Sequence, residues 1–300
     1  MHIKKHFDMK NSRINLNKIY SRFIDGMQTV RSTTKALCLR DRIILTDLHR
    51  KTEDHCVNLH WWQMPYGETN VGDFISEVAV AWMKKSYGIV SDASRNGNTR
   101  HLYAIGSIIN AGLQNATVWG SGLLQDKKFW WRIIRRLDIR CVRGPLTRDV
   151  LRRNGYCCPA VYGDPGILLP MIYTPAESEE KMDYIIVPHH SHHYTGSNVL
   201  SPITGDYETF IDKLVSARLV ISSSLHGIIL AESYGIPAIL LRFEGMNLFK
   251  YQDWYYSTGR TEFPIADTVE QALQLEPAAI PDLDDMREHI MNTFPQDLWK

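Results

Sequence analysis

The chain has 300 residues, 44% hydrophobic and 22% charged, with a formal net charge of +1, enough apolar material for one large core or two modest ones. No apolar run reaches the roughly 18 residues that a membrane-spanning helix needs, and no basic start leads into a signal-peptide-like apolar segment, so a cytoplasmic protein is expected. Cys38, Cys56, Cys141, Cys157 and Cys158 are odd in number and lack CxxC spacing, which argues against a disulfide framework and a zinc site.

Charge is unevenly spread. Residues 1 to 60 carry twelve Lys or Arg against six Asp or Glu, so the start is basic and the remainder slightly acidic. Within it Leu16, Ile19, Phe23, Met27 and Val30 recur at three- and four-residue steps between Lys18, Arg22 and Arg31, the pattern of a basic amphipathic helix. Such a helix packs on its own protein or lies on an anionic membrane surface. Residues 1–55 are expected to form a separate basic extension.

From about residue 56 the texture becomes βα alternation, with short apolar runs followed by Gly-, Ser- or Asn-containing turns and helix-period stretches. The series reads CVNLHWW, NVGD with a helix over 73–86, HLYAIG, ATVWGSG, IRCVRG with a helix over 145–154, and VYGD. TPAESEEK reads as a linker. A second alternation opens with DYIIVPHH and passes through helix 206–216, LVISSS, helix 226–234 and PAILLR. The expected divisions are 56–175, 176–275 and a C-terminal tail, 276–300. Parallel α/β sheets bind ligands beyond the C-terminal ends of their strands, where loops enter helices.

LVISSSLHGIILAESYGIPAILLR fits that rule best. LVIS reads as a buried strand, Ser222, Ser223 and Ser224 as turn and cap, and His226 falls in the first helical turn. A helix start offers free N–H groups and partial positive charge, which favour phosphate or carboxylate. Gly227 leaves room for a ligand, and Arg242 closes the following strand. The plain alternative is that the serines only cap and His226 only packs.

In DIRCVRGPLTRDVLRRNGY, Arg143 ends a strand, Gly144 follows and Pro145 opens a helix. Arginine grips carboxylate and phosphate by paired hydrogen bonds, although a solvated Arg143 is the competing reading. ETNVGDF sets Asn70 and Asp73 at a helix start, where Asp73 lines a site or merely caps. In WGSG, Gly120 and Gly122 flank Ser121 and let backbone approach a ligand. PHHSHHY gathers His189, His190, His192 and His193 without carboxylate or cysteine, so no metal is expected, and His189 is placed as a lining residue.

NVGD, WGSG, RCVRGPLTRDVL, YGDPGILLP, VPHH and SSSLHGIILAESYGIPAILL, in this order over about residues 60–245, resemble the polysaccharide pyruvyl transferase family. The resemblance implies transfer of the enolpyruvyl group of phosphoenolpyruvate onto two hydroxyls of one sugar, giving a cyclic ketal and phosphate. It implies two Rossmann-like domains facing each other across a cleft in the GT-B manner. It ties His226 and Arg143 to the phosphoenolpyruvate site, and Arg242 more loosely. The implied acceptor is a hexose-containing glycan or lipid-linked oligosaccharide at the cytoplasmic membrane face, a location the basic segment would suit. No cofactor and no nucleic acid partner is expected.

The residue types suit that chemistry. Phosphoenolpyruvate carries two anionic groups, for which Arg143, Arg242 and the helix start with Ser223, Ser224 and Gly227 supply a cradle. Its methylene carbon must be protonated, a task for His226. Asp73 is a candidate base for the hydroxyl protons, and Glu232 a weaker one. Two rivals stay open: a GT-B glycosyltransferase using a nucleotide sugar, and a non-catalytic glycan-binding protein stacking sugars on Trp61, Trp62, Trp130 and Trp131.

Overall fold

Four runs of the first alternation become β1 (Val57–His60), β2 (Arg100–Tyr103), β3 (Ala116–Trp119) and β4 (Leu137–Cys141), paired in chain order and all parallel. The second alternation gives β5 (Ile185–Val187), β6 (Val220–Ser222), β7 (Ala238–Leu241) and β8 (Ile265–Ala266), again parallel and in chain order. Six of these strands are buried along most of their length, which is why they read as continuous apolar runs and not as alternation. The computed structural model describes residues 57–63, 67–90, 100–111, 114–128, 135–176, 181–192 and 194–300, all within one compact unit. The basic helix expected near residues 16–31, the tryptophans Trp130 and Trp131, and His193 lie outside the described residues.

The helices are α1 (Val71–Ser86), α2 (Pro145–Arg153), α3 (Leu169–Ile172), α4 (Tyr207–Val215), α5 (Leu225–Ser233), α6 (Phe249–Ser257), α7 (Val269–Ala272) and α8 (Asp284–Asn292). Their starts follow local chemistry. Asn70 caps α1 by accepting from Gly72 N at 3.0 Å, and Pro145 opens α2, where its missing N–H has no consequence. Asp206 caps α4 through Thr209 N. Helix α5 is apolar on nearly every side and almost wholly buried, as a helix enclosed by other elements must be. It ends at Gly235, whose φ of 77° lets Ile236 N return to Ala231 O.

One expectation is revised. VYGD is not a strand: Tyr162 makes an isolated parallel bridge to Val142, because Asp164 and Pro165 turn the chain at once into a 3-10 turn, Pro165–Leu168. The C-terminal residues also pack back onto the first sheet, with Trp119 Nε1 donating to Ile290 O at 2.9 Å and the Phe294 ring 5.0 Å from that of Trp119. One apolar cluster runs from Val57, Leu59 and Trp61 through Ile75 and Met83 to Val187, Val220, Ile228 and Leu240, so the two sheets share a core. No helix among the described residues is long and apolar enough to cross a membrane.

Candidate active site

The C-terminal end of β6 delivers the serine turn. Ser222 Oγ lies 2.9 Å from Val187 O and accepts from Ser224 N at 3.0 Å, while Ser223 Oγ accepts from His189 N at 3.0 Å. Ser224 is the N-cap residue of α5, yet its hydroxyl makes no cap bond. The amides of the first turn of α5 therefore lack intrahelical acceptors, as at every helix start. Gly227 is required for packing: a Cβ there would meet Ser222 Oγ at 2.3 Å and Val187 Cγ1 at 2.9 Å. Its bare face is filled by β5 and β6, in place of the ligand approach expected from the sequence.

His226 projects from α5 against the first turn of α1. A Cβ on Gly72 would lie 2.1 Å from His226 Nδ1, so a larger residue would displace the ring. On its other edge, Nε2 stands 3.6 Å from Asp164 Oδ2. Asp164 is 1% exposed and His226 12%. Asp164 Oδ1 accepts from Gly166 N at 2.9 Å, while Oδ2 and His226 Nε2 are buried polar atoms with no hydrogen-bond partner. A gap of that length is too wide for a hydrogen bond and too small for water, a geometry that tightens on ligand binding in many catalytic pairs.

Asp73, one residue past Gly72, completes this edge. Burial pushes its carboxyl up to about 6, against the lowering influence of His226 and Lys250 and with a further push from Asp164. Lys250, on α6, is pressed down to about 8 by burial first and by the Arg143 charge second, while Asp73 opposes the shift. Asp73 is thus within electrostatic reach of Asp164, His226 and Lys250, and Lys250 of Arg143, the five being drawn from α1, the turn before α3, α5, α6 and the end of β4.

Arg143 is 1% exposed. Its Nε donates to Asp253 Oδ2 at 3.1 Å, Nη1 to Ser107 Oγ at 2.7 Å and Nη2 to Leu123 O at 2.7 Å. A Cβ on Gly122 would lie 2.3 Å from Arg143 Cζ. The paired grip that a guanidinium offers an anion is taken up by Asp253, and Arg143 contributes its charge and a rigid wall. Arg242 does not join the cluster: Nε and Nη2 bind Asp267 at 2.7 and 2.9 Å on the exposed end of β7. Glu232 is also taken, since Arg260 reaches both its oxygens and Trp254 Nε1 donates to Oε2 at 2.8 Å.

Gly120 and Ser121 serve the scaffold. Gly120, at φ 93°, abuts Pro165, whose Cδ would be 2.2 Å from a Cβ there, and Ser121 Oγ donates to Gly106 O at 2.8 Å. His189 sits at the end of β5, partly exposed, with Lys250 near enough to act on it. Among the described residues no group of three or more His, Cys, Asp or Glu is placed to hold a metal ion. Sequence reasoning misses Asp164 and Lys250 as site residues. The first stands in YGDPGILLP, where its position before Pro165 is the available signal, and the second carries no local one.

The fold is that of a parallel α/β protein, with a histidine, carboxylates and a lysine placed near one helix start. The chain belongs to the polysaccharide pyruvyl transferase family, whose model matches residues 5–244. The match begins well before the motifs near residue 60 and stops short of Lys250. The chain is 30% identical over 161 residues to an uncharacterized protein of Acanthamoeba polyphaga mimivirus, covering 49% of the chain. It is 28% identical over 185 residues to the succinoglycan biosynthesis protein ExoV of Rhizobium meliloti (strain 1021), covering 54% of the chain. Each alignment spans 55% of the relative's own length.

Proposed function

We propose that this protein transfers the pyruvyl group of phosphoenolpyruvate onto two hydroxyls of a hexose in a polysaccharide or lipid-linked oligosaccharide, forming a cyclic ketal and releasing phosphate. Family membership and the likeness to a succinoglycan biosynthesis protein support the reaction class. The observation that carries it to particular atoms is the meeting of His226, Asp164, Asp73 and Lys250 at the start of α5.

In this reading the free amides of α5, the Ser224 hydroxyl and the Lys250 ammonium receive the phosphate and carboxylate, with the Arg143 charge behind them. Asp164 orients the His226 ring, and His226 protonates the methylene carbon, which makes the adjacent carbon electrophilic. One sugar hydroxyl attacks that carbon and yields its proton to Asp73, whose pKa of about 6 suits a base at neutral pH. The bond to phosphate breaks, and the second hydroxyl closes the ring. Of the two hydroxyl protons, one replaces that given to the methyl carbon and the other leaves with phosphate. Protonation, addition and elimination account for the whole conversion, so the proposal calls on no metal or redox group. A two-domain cleft of the GT-B kind would bring the acceptor to the same edge.

Calorimetric titration with phosphoenolpyruvate, UDP-glucose and UDP-galactose tests the reading. Selective phosphoenolpyruvate binding is expected, weakened about ten- to a hundredfold in Lys250→Met. His226→Ala should retain that binding and lose about 10²–10⁴-fold in turnover. Selective binding of a nucleotide sugar would make the protein a glycosyltransferase instead.

A further inference from the structure

Beyond the acid–base cluster, the end of β5 opens onto a run of rings that the proposed donor chemistry leaves unused. The Trp62 and His190 ring centroids are 4.9 Å apart, those of His190 and His189 4.1 Å, and those of His189 and Phe243 5.2 Å. His192 continues the series 4.3 Å from Phe243. These five side chains come from the segments after β1, after β5 and after β7, and each is only partly buried. Core aromatics in this protein look different: Trp61, Trp119 and Trp254 are fully enclosed, each with its indole N–H bonded.

The polar edges of this ledge are ordered. Ser191 Oγ lies 2.7 Å from His189 Nδ1 and 3.0 Å from His192 Nδ1, and the Ser191 amide donates to His189 Nδ1 at 3.4 Å. The His189 ring proton then belongs on Nε2. Among the described residues no protein group bonds the Nε2 atoms of His189, His190 or His192. Burial first, then the Lys250 charge, holds His189 down at about 3, so that ring is neutral near pH 7, and the same two causes lower His190. The ledge thus offers ring faces with hydrogen-bonding edges. It suits a pyranose, whose ring C–H groups form an apolar face rimmed by hydroxyls.

Its place is also specific. His189 N is tied to Ser223 Oγ, three residues before His226, and Lys250 acts on His189 and His190 as it acts on Asp73. We propose that the Trp62, His190, His189, Phe243 and His192 ledge seats a pyranose ring of the acceptor, beside the edge where Asp73 takes its hydroxyl protons. The inference rests on the pyruvyl-transfer reading and names the acceptor subsite for it.

Saturation-transfer NMR with methyl β-glucopyranoside and methyl β-galactopyranoside, alongside calorimetry with phosphoenolpyruvate, tests both levels separately. Wild-type protein is expected to saturate the ring C–H protons of at least one glycoside. Trp62→Ala and Phe243→Ala should each weaken that binding about three- to tenfold while phosphoenolpyruvate affinity stays at the wild-type value, which also shows that the variants fold. Undiminished glycoside signals in both variants, or none from wild type, overturn the ledge assignment. Glycoside bound at the ledge by a protein that ignores phosphoenolpyruvate would keep the sugar seat and sink the pyruvyl-transfer reading.

Discussion

Asp73 reaches the site because Asn70 takes the capping position, leaving the aspartate one turn further on to face Gly106, where a Cβ would come within 2.8 Å of Asp73 Oδ1. At the same turn Gly72 leaves the space that the His226 ring fills. Burial lifts the Asp73 carboxyl from 3.8 to about 6, which means that the folded chain prefers it protonated. Its contribution to stability is therefore fully present below pH 3.8 and is lost as pH rises through 6, a total of about 3 kcal/mol. Asp73→Asn removes this titration. Between pH 4 and pH 7 the wild type is expected to lose about 2 kcal/mol of unfolding free energy relative to the variant, read by urea titration at both values. Parallel pH trends in the two proteins would show that Asp73 ionises as an exposed carboxylate does.

At the scale of elements, helix α6 acts as the clasp of the site. Lys250 and Asp253 share one face at three-residue spacing, the first turned toward Asp73 and the second toward the loop that starts α2. Asp253 accepts from Arg143 Nε at 3.1 Å, from Thr147 N at 2.9 Å and from Thr147 Oγ1 at 2.6 Å. Gly144 allows this approach, since a Cβ there would lie 1.9 Å from Asp253 O. Both ions are fully buried, at 1% and 0% exposure, so removing one partner strands the other. Asp253→Ala is expected to cost about 3–5 kcal/mol of stability, seen as a lower urea midpoint. Combining it with Arg143→Met should recover much of that loss, because the stranded charge goes too. A double variant as unstable as the sum of the singles would mean that the two side chains act independently.

At the scale of the molecule, many strands and helix starts were legible because each rests on local chemistry: apolar runs such as AILL and Pro145 at a first turn, although Asn70 and not Asp73 caps α1. His226 and Asp73 were legible for the same reason, as polar residues at helix starts beyond strand ends. Lys250 was not, because its lowered pKa comes from burial and from charges at Arg143 and Asp73, each more than a hundred residues away in the chain. Nor was the C-terminal return, in which α8 and Phe294 close over Trp119. These long-range contacts bear on how the whole chain unfolds. Each sheet has an apolar cluster of its own, but a third runs through both, and Arg287 of α8 donates to Ile167 O at 3.0 Å and to Ser233 O at 3.0 Å, tying the turn after the first sheet to a helix of the second. A shared core couples the two melting equilibria, so calorimetry should show a single cooperative transition for these sheets, with calorimetric and van't Hoff enthalpies in agreement. Two resolved transitions, with phosphoenolpyruvate moving only the later or the earlier one, would instead assign each sheet its own independently stable body and place the donor site on the one that moves.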